Sequence, residues 1–433
     1  MSVWLRLGRD HVRLELLDRW GRPPVVSPHR TALRAVVREA AGIPAGDAAS
    51  TAAIAAIPPP EFSTARSVCL VIPDETRRGP WQLYRGAAIR WTEQSTPRAV
   101  RRTLLIATGV HRPVVSPDLR DLEGWTVAAN GAGGFDDHRQ AGRTRAGTVV
   151  RLHPAWIEAD ARIVLADVSF HYFAGFGGGR KLVFPGLGDP AGILGNHRLC
   201  LDAEGRLRPE CEPGQLDGNP VHEDLMEAVA LAPPHLLLQA HEPAPGEAAV
   251  LTAGDWRETH ASGCALFHRG HMLKHTQRPD VLIADAGGYP RDASVLQAHK
   301  SLQHAMRFLD PGGRLLLVAG LEEGSGSETL ERLWGLDPED LSRRAVEAYE
   351  LHTHTALAMK TACRRVEVAV WSRLENPERL RAIPITPLRD EAEALQWLES
   401  KGTPRQWGWL TRAEEVLPQI VGRRERGDEE ANG

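Results

Sequence analysis

Residues 161–186 read ARIVLADVSFHYFAGFGGGRKLVFPG, and they join a strand pattern to a basic, glycine-rich loop. The first part, ARIVLAD (161–167), is a short apolar run of the length and composition typical of a buried strand. The second part, His171 to Gly186, combines a histidine, aromatic side chains, a run of glycines and an Arg-Lys pair. In parallel α/β sheets, ligands bind where loops leave the carboxyl ends of strands. This loop is therefore a candidate binding loop.

The same arrangement of an apolar run followed by a polar or glycine-containing loop recurs along the chain. The other runs are SVCLVI (67–72), TLLIAT (103–108), VLIAD (281–285), GRLLLVAG (313–320) and RVEVAV (365–370). Helical patterns lie between them, among them PVHEDLMEAVALA (220–232) and SVLQAHKSLQHAMRFL (294–309), whose apolar residues recur near helical spacing. Strands that alternate with helices predict an α/β protein with largely parallel sheets.

The length of 433 residues predicts more than one domain. A polar, histidine-rich segment, HRGHMLKHTQRPD (268–280), separates the first group of strand patterns from the second. We therefore expect an N-terminal domain over residues 1–272 and a C-terminal α/β domain over residues 273–402.

Composition and charge argue against several classes of partner. The formal net charge is −4, with acidic and basic residues interspersed, which gives no support to nucleic-acid binding. No apolar run is long enough to span a bilayer, and residues 1–20 lack a signal-peptide core, so we expect no membrane partner and a cytoplasmic location. The five cysteines show no C-x-x-C spacing, which favours reduced, mostly structural thiols.

The glycine loop matches neither of two familiar phosphate-binding loops. A Walker loop requires Gly-Lys-Ser/Thr, whereas residues 179–182 read Gly-Arg-Lys-Leu and supply no hydroxyl for magnesium. A dinucleotide loop requires G-x-G-x-x-G; Gly175 and Gly177 fit, but Arg180 occupies the last position. Glycines still allow close backbone approach to a phosphate, and the neighbouring cations supply charge. The residues alone leave open an anion-binding loop or a tight structural turn.

Three histidines lie near predicted strand ends or near this loop. His111 lies in TGVHRP, His171 in VSFHYF and His197 in ILGNH. By pattern alone, each is either a catalytic residue or a hydrogen-bonded structural one. Asp74 and Arg77 in PDETRRGP are equally open, since they also suit a local ion pair or cap.

Taken together, these segments resemble the lactate racemase family, whose enzymes use a nickel-pincer nucleotide. The resemblance runs from about residue 65 to about residue 320 and rests on the order of six motifs. These are PDETR, GVHRP, HYFAGFGGGRKLVFPG, ILGNH, GNPVHEDLMEA (218–228) and GGYPRDASVLQAHKS (287–301). The resemblance implies two α/β domains with the cofactor in the interdomain cleft, and a C-terminal segment, about 403–433, that returns to the first domain.

The resemblance also implies roles for individual residues. Lys181 matches the lysine that attaches covalently, through a thioamide, to nickel pyridinium-3-thioamide-5-thiocarboxylic acid mononucleotide, and His197 matches the histidine that ligates the nickel. His111 and His171 match the two histidines that act as alternating acid and base. The remaining matches are Asp74 near the cofactor, Gly177, Gly178 and Gly179 along it, and Arg77, Gln297 and Lys300 on the substrate.

Two positions depart from the family's pattern. Gly177 stands where the family usually has a serine, which is a mild change. Leu296 stands where lactate-specific members have a tyrosine, and loss of that hydroxyl removes a polar contact and enlarges or dries the pocket. We therefore expect a preference for 2-hydroxy acids with side chains larger than the methyl group of lactate.

The implied chemistry suits these residue types. A C–H beside a hydroxyl and an ionised carboxylate is a poor acid, so removing hydride while a base takes the hydroxyl proton is the easier route to inversion. Each enantiomer presents its hydroxyl on a different side, so two bases are needed, and imidazole has an unperturbed pKa of about 6.5. Gln297 and Lys300 share one face of a predicted helix and, with Arg77, suit a carboxylate. Lys181, one of only five lysines, supplies an amine nucleophile that arginine cannot replace.

The expected function is a racemase or epimerase that inverts the alpha carbon of a small-molecule 2-hydroxy acid, with the cofactor-synthesising enzymes as partners during maturation. One alternative is an epimerase of a sugar acid that uses the same cofactor, which Leu296 favours. The other is a protein that binds or stores the nickel nucleotide without turnover. His111 and His171 argue against storage, because a binding protein needs no pair of acid/base histidines.

Overall fold

The computed structural model describes residues 2–15, 20–21, 23–28, 62–111, 117–120 and 122–421. The strands of the N-terminal half are β1 (Ser2–Leu7), β2 (Asp10–Glu15), β3 (Ser67–Pro73), β4 (Arg101–Ala107), β5 (Thr126–Ala129), β6 (Arg139–Arg143), β7 (Val149–Leu152), β8 (Ala161–Asp167), β9 (Phe170–His171) and β10 (Gly175–Phe176). Those that follow are β11 (Leu236–His241), β12 (Val250–Gly254), β13 (Met272–His275), β14 (Val281–Asp285), β15 (Arg314–Val318), β16 (Glu367–Trp371), β17 (Ile385–Leu388), β18 (Trp407–Leu410) and β19 (Leu417–Ile420).

Several helices begin at a proline that follows a capping side chain. The α-helices are α1 (Trp81–Ser95), α2 (Pro154–Ile157), α3 (Pro190–Arg198), α4 (Pro220–Ala230), α5 (Trp256–His271), α6 (Val295–Ala305), α7 (Glu328–Leu333), α8 (Pro338–Glu347), α9 (Thr353–Arg365) and α10 (Glu391–Glu399). At the start of α3, Asp189 Oδ1 accepts a hydrogen bond from the Gly192 N–H at 2.9 Å. A proline at the first helical position loses no hydrogen bond, and the cap satisfies an N–H that the helix leaves open.

One compact unit, here unit A, comprises Ala41–Gly270 and Ser325–Lys360. Its main sheet has six strands in the order β12-β11-β8-β3-β4-β5, and all neighbours are parallel except β12 and β11. The inner strands are almost wholly buried, as expected for a parallel sheet covered on both faces. Because β8, β3 and β4 are parallel neighbours, the loops that follow them emerge side by side at one edge of the sheet.

The other compact unit, unit B, comprises Met1–Ala40, His271–Gly324 and Thr361–Gly433. Its main sheet has five parallel strands in the order β17-β16-β15-β14-β18. Tryptophans fill much of its core: Trp407 and Trp409 of β18 are buried, and Trp20 packs edge-on against Trp407 with ring centroids 5.2 Å apart. Helix α6, which carries part of GGYPRDASVLQAHKS, packs beside β14.

The predicted α/β class with largely parallel sheets is confirmed. The patterns ARIVLAD and VLIAD coincide with β8 and β14, and PVHEDLMEAVALA forms α4. The pattern over 294–309 divides into α6 and a 3₁₀ turn, Met306–Phe308. The other strand patterns are shifted by one or two residues, because hydrogen bonding to the neighbouring strand sets each end rather than the apolar run itself.

The division of the chain differs from the predicted domains 1–272 and 273–402. Its boundary at residues 270 and 271 falls close to the predicted one, but residues 325–360 lie with unit A. The C-terminal segment, predicted to return to the first domain, contributes β18 to the sheet of unit B, where it pairs with β14. Residues 422–433 at its end lie outside the described part. These differences arise because strand pairing joins segments far apart in sequence, which local patterns do not encode.

The segment 268–280, predicted to be a boundary, is largely regular structure. It contains the end of α5 and strand β13, which pairs in parallel with β19. Within the described ranges, no helix combines the length and the apolar character that crossing a membrane requires.

The central position of β8 makes a first prediction. Leu165 is fully buried in β8, so Leu165→Ala should lower the free energy of unfolding by about 2–5 kcal/mol through lost burial and an unfilled cavity. Leu83→Ala is the matched control, since Leu83 is 43 % exposed on α1 and should change stability by about 0.5 kcal/mol at most. Urea unfolding followed by tryptophan fluorescence gives both values. Equal effects of the two substitutions would contradict this placement of β8.

Candidate active site

The glycine loop follows a backbone path that side chains would block. After the β9–β10 hairpin, Gly178 and Gly179 have φ of +66° and +49°, in the left-handed region that glycine tolerates best. A Cβ on Gly178 would lie 1.8 Å from the carbonyl oxygen of Asp167. A Cβ on Gly177 would lie 2.7 Å from Ser169 Oγ, so a hydroxyl already occupies the space beside the position where the family usually has a serine. The tight turn is therefore a structural requirement, and it delivers Lys181 to its position.

Arg180 serves the loop itself. Its guanidinium is buried and donates to the carbonyl oxygens of Ala174 (3.0 Å) and Phe176 (3.3 Å), and it contacts His260 Nε2 at 2.5 Å. Burial lowers the pKa of Arg180 to about 10. These contacts hold the guanidinium inside the protein, so Arg180 has a structural role in the loop.

The ring of Phe173 brings three of the predicted functional residues together. It packs edge-on against the imidazoles of His171 and His197, with centroids 4.6 Å and 5.1 Å away. Lys181 Nζ lies 5.6 Å from the centroid of the same ring, within cation–π range. Asn219, in the motif GNPVHEDLMEA, donates from Nδ2 to the Phe173 carbonyl at 3.0 Å while its Oδ1 caps α4. The motif therefore has a role in this site, since it fixes the backbone of Phe173.

His197 lies in the last turn of α3 and is held neutral. Burial lowers its pKa well below the ordinary value, and the positive charges of His354 and Lys181 add to the effect. Its Nδ1 is buried and has no hydrogen-bond partner among the described residues. Neutral imidazole is the form that binds metal ions, so this residue fits the predicted ligand.

The neighbouring polar network holds α3, and therefore His197, in place. Asn196 Nδ2 donates to Asp224 Oδ2 at 2.9 Å, and Thr148 Oγ1 donates to the same oxygen at 2.9 Å. Asp224 lies on α4 and is buried. A buried carboxylate with several donors is a rigid anchor, because each donor would be costly to leave unpaired.

His171 and His111 follow β8 and β4, the two strands that flank β3 in the sheet of unit A. His171 is half-buried in β9, stacks on Tyr172 with centroids 5.4 Å apart, and accepts a 3.3 Å hydrogen bond at Nδ1 from the Ala174 N–H. His111 is exposed after β4, and its N–H donates to the Thr108 carbonyl at 3.1 Å. The charge of His111 contributes to the lowered pKa of His197, so the two side chains lie within electrostatic range.

The loop after β3 uses its acid as a cap and leaves its arginine exposed. Asp74 is buried, and its Oδ1 accepts hydrogen bonds from the N–H of Thr76 (2.8 Å) and from the Thr76 hydroxyl. The Arg77 carbonyl accepts from Trp81 Nε1 at 2.6 Å, which fixes its backbone while the side chain stays exposed. The sequence suited either a local ion pair or a cap at this position, and the structure shows Asp74 as a cap. The side chain of Arg77 remains accessible to a ligand.

The predicted substrate-binding residues Leu296, Gln297 and Lys300 lie in unit B, on α6. Lys300 Nζ donates to Gln297 Oε1 at 2.7 Å, so these two side chains share one face. The positive charge of Lys300 also opposes the effect of burial on the pKa of Glu414, which is raised. Leu296 is 8 % exposed, so most of its side chain is already out of water.

Two further histidines in unit A were missed by the sequence analysis. His354 is buried, lies edge-on to His197 with centroids 5.8 Å apart, and contacts Tyr349 OH through Nδ1 at 2.7 Å. His352 has φ of +74°, which is uncommon for a residue with a side chain and is often found at functional sites, and its pKa is lowered by burial to about 4. The signal was the pair of histidines in LHTHTALAMK (351–360), directly before and within the start of α9.

Comparison with known proteins shows similarity to lactate racemases. The family model described as the lactate racemase N-terminal domain matches residues 49–207. Lactate racemase of Thermoanaerobacterium thermosaccharolyticum is 25% identical over 348 residues, which cover 77% of this chain and 80% of that protein. Lactate racemase of Lactiplantibacillus plantarum is 28% identical over 268 residues, which cover 60% of this chain and 62% of that protein.

Solved structures show the same fold. The lactate racemase apoprotein from T. thermosaccharolyticum superposes with a TM-score of 0.78 at 20% identity, over 97% of this chain and 100% of that one. A Thermotoga maritima protein superposes with a TM-score of 0.63 at 13% identity, over 83% of this chain and 95% of that one. The matched domain and the two curated relatives agree with one another, and the chain is similar to the lactate racemase family.

Proposed function

We propose that this isomerase is a racemase or epimerase that inverts the alpha carbon of a 2-hydroxy acid with a nickel-pincer nucleotide bound to Lys181. The observation that carries the proposal is the convergence of His171, His197 and Lys181 on the ring of Phe173. These residue types fit the group: an amine for a covalent link, a neutral imidazole for the metal and an imidazole for proton transfer. When bound, the cofactor supplies reversible hydride acceptance, which the side chains of the protein cannot provide.

His197 is proposed as the residue that holds the nickel. Its lowered pKa keeps the ring neutral, and its unpartnered Nδ1 shows that no hydrogen bond within the described part of the chain competes for that nitrogen. The described residues contain no group of three or more His, Cys, Asp or Glu side chains able to hold a metal ion. The bound nucleotide would therefore supply further ligands.

His111 and His171 are proposed as the two acid/base residues. The hydrogen bond from Ala174 N–H to Nδ1 of His171 places the proton of the neutral ring on Nε2. To take the hydroxyl proton at Nε2, the ring must instead carry its proton on Nδ1 and give up this long 3.3 Å bond. A hydrogen bond of ordinary strength contributes about 0.5–1.5 kcal/mol, so the change is affordable during turnover.

Arg77, Gln297 and Lys300 are proposed as the residues that bind the substrate carboxylate. Arg77 presents an exposed guanidinium in unit A, and Gln297 and Lys300 lie on one face of α6 in unit B. Lys300 donates to the Gln297 oxygen, and the Gln297 amide nitrogen and the Lys300 ammonium are both hydrogen-bond donors. A carboxylate is an acceptor only and matches this set.

Leu296 favours a second candidate, an epimerase of a sugar acid or another large 2-hydroxy acid. A leucine offers no hydroxyl where lactate-specific members of the family have a phenol. The two candidates share the cofactor and the proton-transfer residues and differ only in the size of the substrate. Storage of the nucleotide without turnover leaves the paired histidines unexplained.

Lys181→Arg should abolish the covalent adduct while it keeps the positive charge, because a guanidinium is too weak a nucleophile for the link. The protein is produced together with the cofactor-synthesising enzymes, and its intact mass is measured. Lys274→Arg, at an exposed lysine of β13, is the control and should carry the wild-type adduct. An adduct of unchanged mass and yield on the Lys181 variant would place the attachment elsewhere.

His197→Ala should lose most of the bound nickel while the organic part of the cofactor stays attached, since the two are held by different residues. Nickel per protein chain is measured by mass spectrometry of the metal, and the adduct by intact mass. His235→Ala is the control because His235 is exposed just before the amino end of β11, at the edge of the sheet opposite to the site. Wild-type nickel content in the His197 variant would show that another residue is the ligand.

Loaded protein should invert 2-hydroxy acids with side chains larger than methyl faster than lactate. A donor left facing an apolar group costs about 1–3 kcal/mol, and Leu296 removes that cost for an apolar substituent. Single enantiomers of lactate, 2-hydroxybutyrate, phenyllactate and gluconate are incubated with the protein and followed by loss of optical purity. Leu296→Tyr should shift the preference back towards lactate. Lactate as the fastest substrate of the unaltered protein would refute the argument from size.

A further inference from the structure

Asn130, directly after β5, has all of its side-chain hydrogen-bonding groups engaged in the interior of unit A. It is fully buried, and its Nδ2 donates to the carbonyl oxygens of Gly109 (2.9 Å) and Gly188 (3.0 Å). Its Oδ1 lies 2.9 Å from His138 Nε2. Because two carbonyl oxygens require the amide nitrogen, the orientation of the amide is fixed and His138 must donate from Nε2.

The two carbonyl groups belong to segments that carry predicted functional residues. Gly109 is two residues before His111 and has φ of +58°, so it forms the turn that leads from β4 to that histidine. Gly188 directly precedes Asp189, the N-cap of α3, and α3 carries His197 in its last turn. One buried side chain therefore joins the loop of His111 to the helix of His197.

Backbone hydrogen bonds around Asn130 fix the same turn. The Gly109 N–H donates to the Gly186 carbonyl at 2.9 Å, at the end of the glycine-loop motif. The Thr108 hydroxyl donates to the Asn130 carbonyl at 2.7 Å. The hydrogen bond from Asn130 to the Gly109 carbonyl therefore acts together with these bonds to fix the backbone that leads to His111.

We infer that Asn130 is a positioning residue for His111, a role that rests on the proposed function of His111 as one of two acid/base residues. Asn130→Asp is the sharpest variant, because aspartate has nearly the same shape and keeps an acceptor for His138. A carboxylate cannot donate, so the carbonyl groups of Gly109 and Gly188 would face an acceptor instead of a donor. The turn before His111 should then loosen while the rest of the β4 strand stays paired.

The first measurement uses protein without cofactor and does not depend on turnover. Hydrogen–deuterium exchange of the Gly109 and His111 amides should be about tenfold faster in Asn130→Asp, since the loss of a buried hydrogen bond favours local opening. Leu236→Ala is the control. Leu236 is buried at the amino end of β11, so its substitution lowers the free energy of unfolding at a position away from the turn. Unchanged exchange at Gly109 and His111 in the aspartate variant would overturn the inference.

The second measurement uses loaded protein and separates positioning from general damage. If His111 serves one enantiomer and His171 the other, Asn130→Asp should slow the single-turnover formation of bound 2-keto acid from one enantiomer of 2-hydroxybutyrate about tenfold more than from the other. Leu236→Ala should change both rates by the same factor. Equal slowing of both enantiomers by the aspartate variant would overturn the inference.

A second variant keeps the test decisive if Asn130→Asp fails to fold. Thr108→Val removes only the hydroxyl that donates to the Asn130 carbonyl. This variant should produce the same difference in rate between the two enantiomers, but a smaller one. Failure of the unaltered loaded protein to oxidise either enantiomer of 2-hydroxybutyrate or of lactate would count against the proposed function. In that case the exchange measurement still decides whether Asn130 holds the turn.

Discussion

The edge-on packing of imidazoles against Phe173 is the contact on which the candidate site depends. His171 and His197 come from segments more than twenty residues apart, and both rings rest on this one aromatic side chain. Phe173 is held in turn by the tight loop that begins after it, whose glycines accept positive φ, and by Asn219, which donates to its carbonyl. Aromatic pairs of this kind contribute about 0.5–1.5 kcal/mol beyond the area they bury, and their geometry is specific. The ring therefore sets the positions of the two histidines.

The sheet of unit A explains why these groups meet. Strands β8, β3 and β4 are parallel neighbours, so the glycine loop, the loop of Asp74 and Arg77, and the turn to His111 leave the same edge. Buried polar side chains then fix each loop by hydrogen bonds. Asp74 accepts one from Thr76, and Arg180 donates to carbonyl oxygens of the glycine loop. Asp224 accepts one from Asn196, the residue before His197. An anchor of this type is costly to break because its partners would be left unpaired inside the protein. The site is thus built from short, rigid connections rather than from one long flexible loop.

Sequence patterns predicted the local features and missed those that depend on distant contacts. ARIVLAD and VLIAD predict strands at the observed bounds, because short continuous apolar runs between turn residues are typical of buried parallel strands. The role of Arg180 inside the loop was not predictable, since its partners are carbonyl groups whose directions depend on the fold. His354 was missed because its contacts with Phe173 and His197 join positions more than a hundred and fifty residues apart. The burial of Leu296 likewise depends on tertiary packing and not on its neighbours in sequence.

The most direct test of the account is a crystal structure of the cofactor-loaded protein with anomalous diffraction recorded at the nickel absorption edge. The account predicts one strong nickel peak at bonding distance from the His197 ring, with electron density continuous from the cofactor to Lys181 Nζ. A nickel peak at another pair of histidines, such as His138 and His153, whose ring centroids are 5.7 Å apart, would contradict it. So would cofactor density that does not reach Lys181.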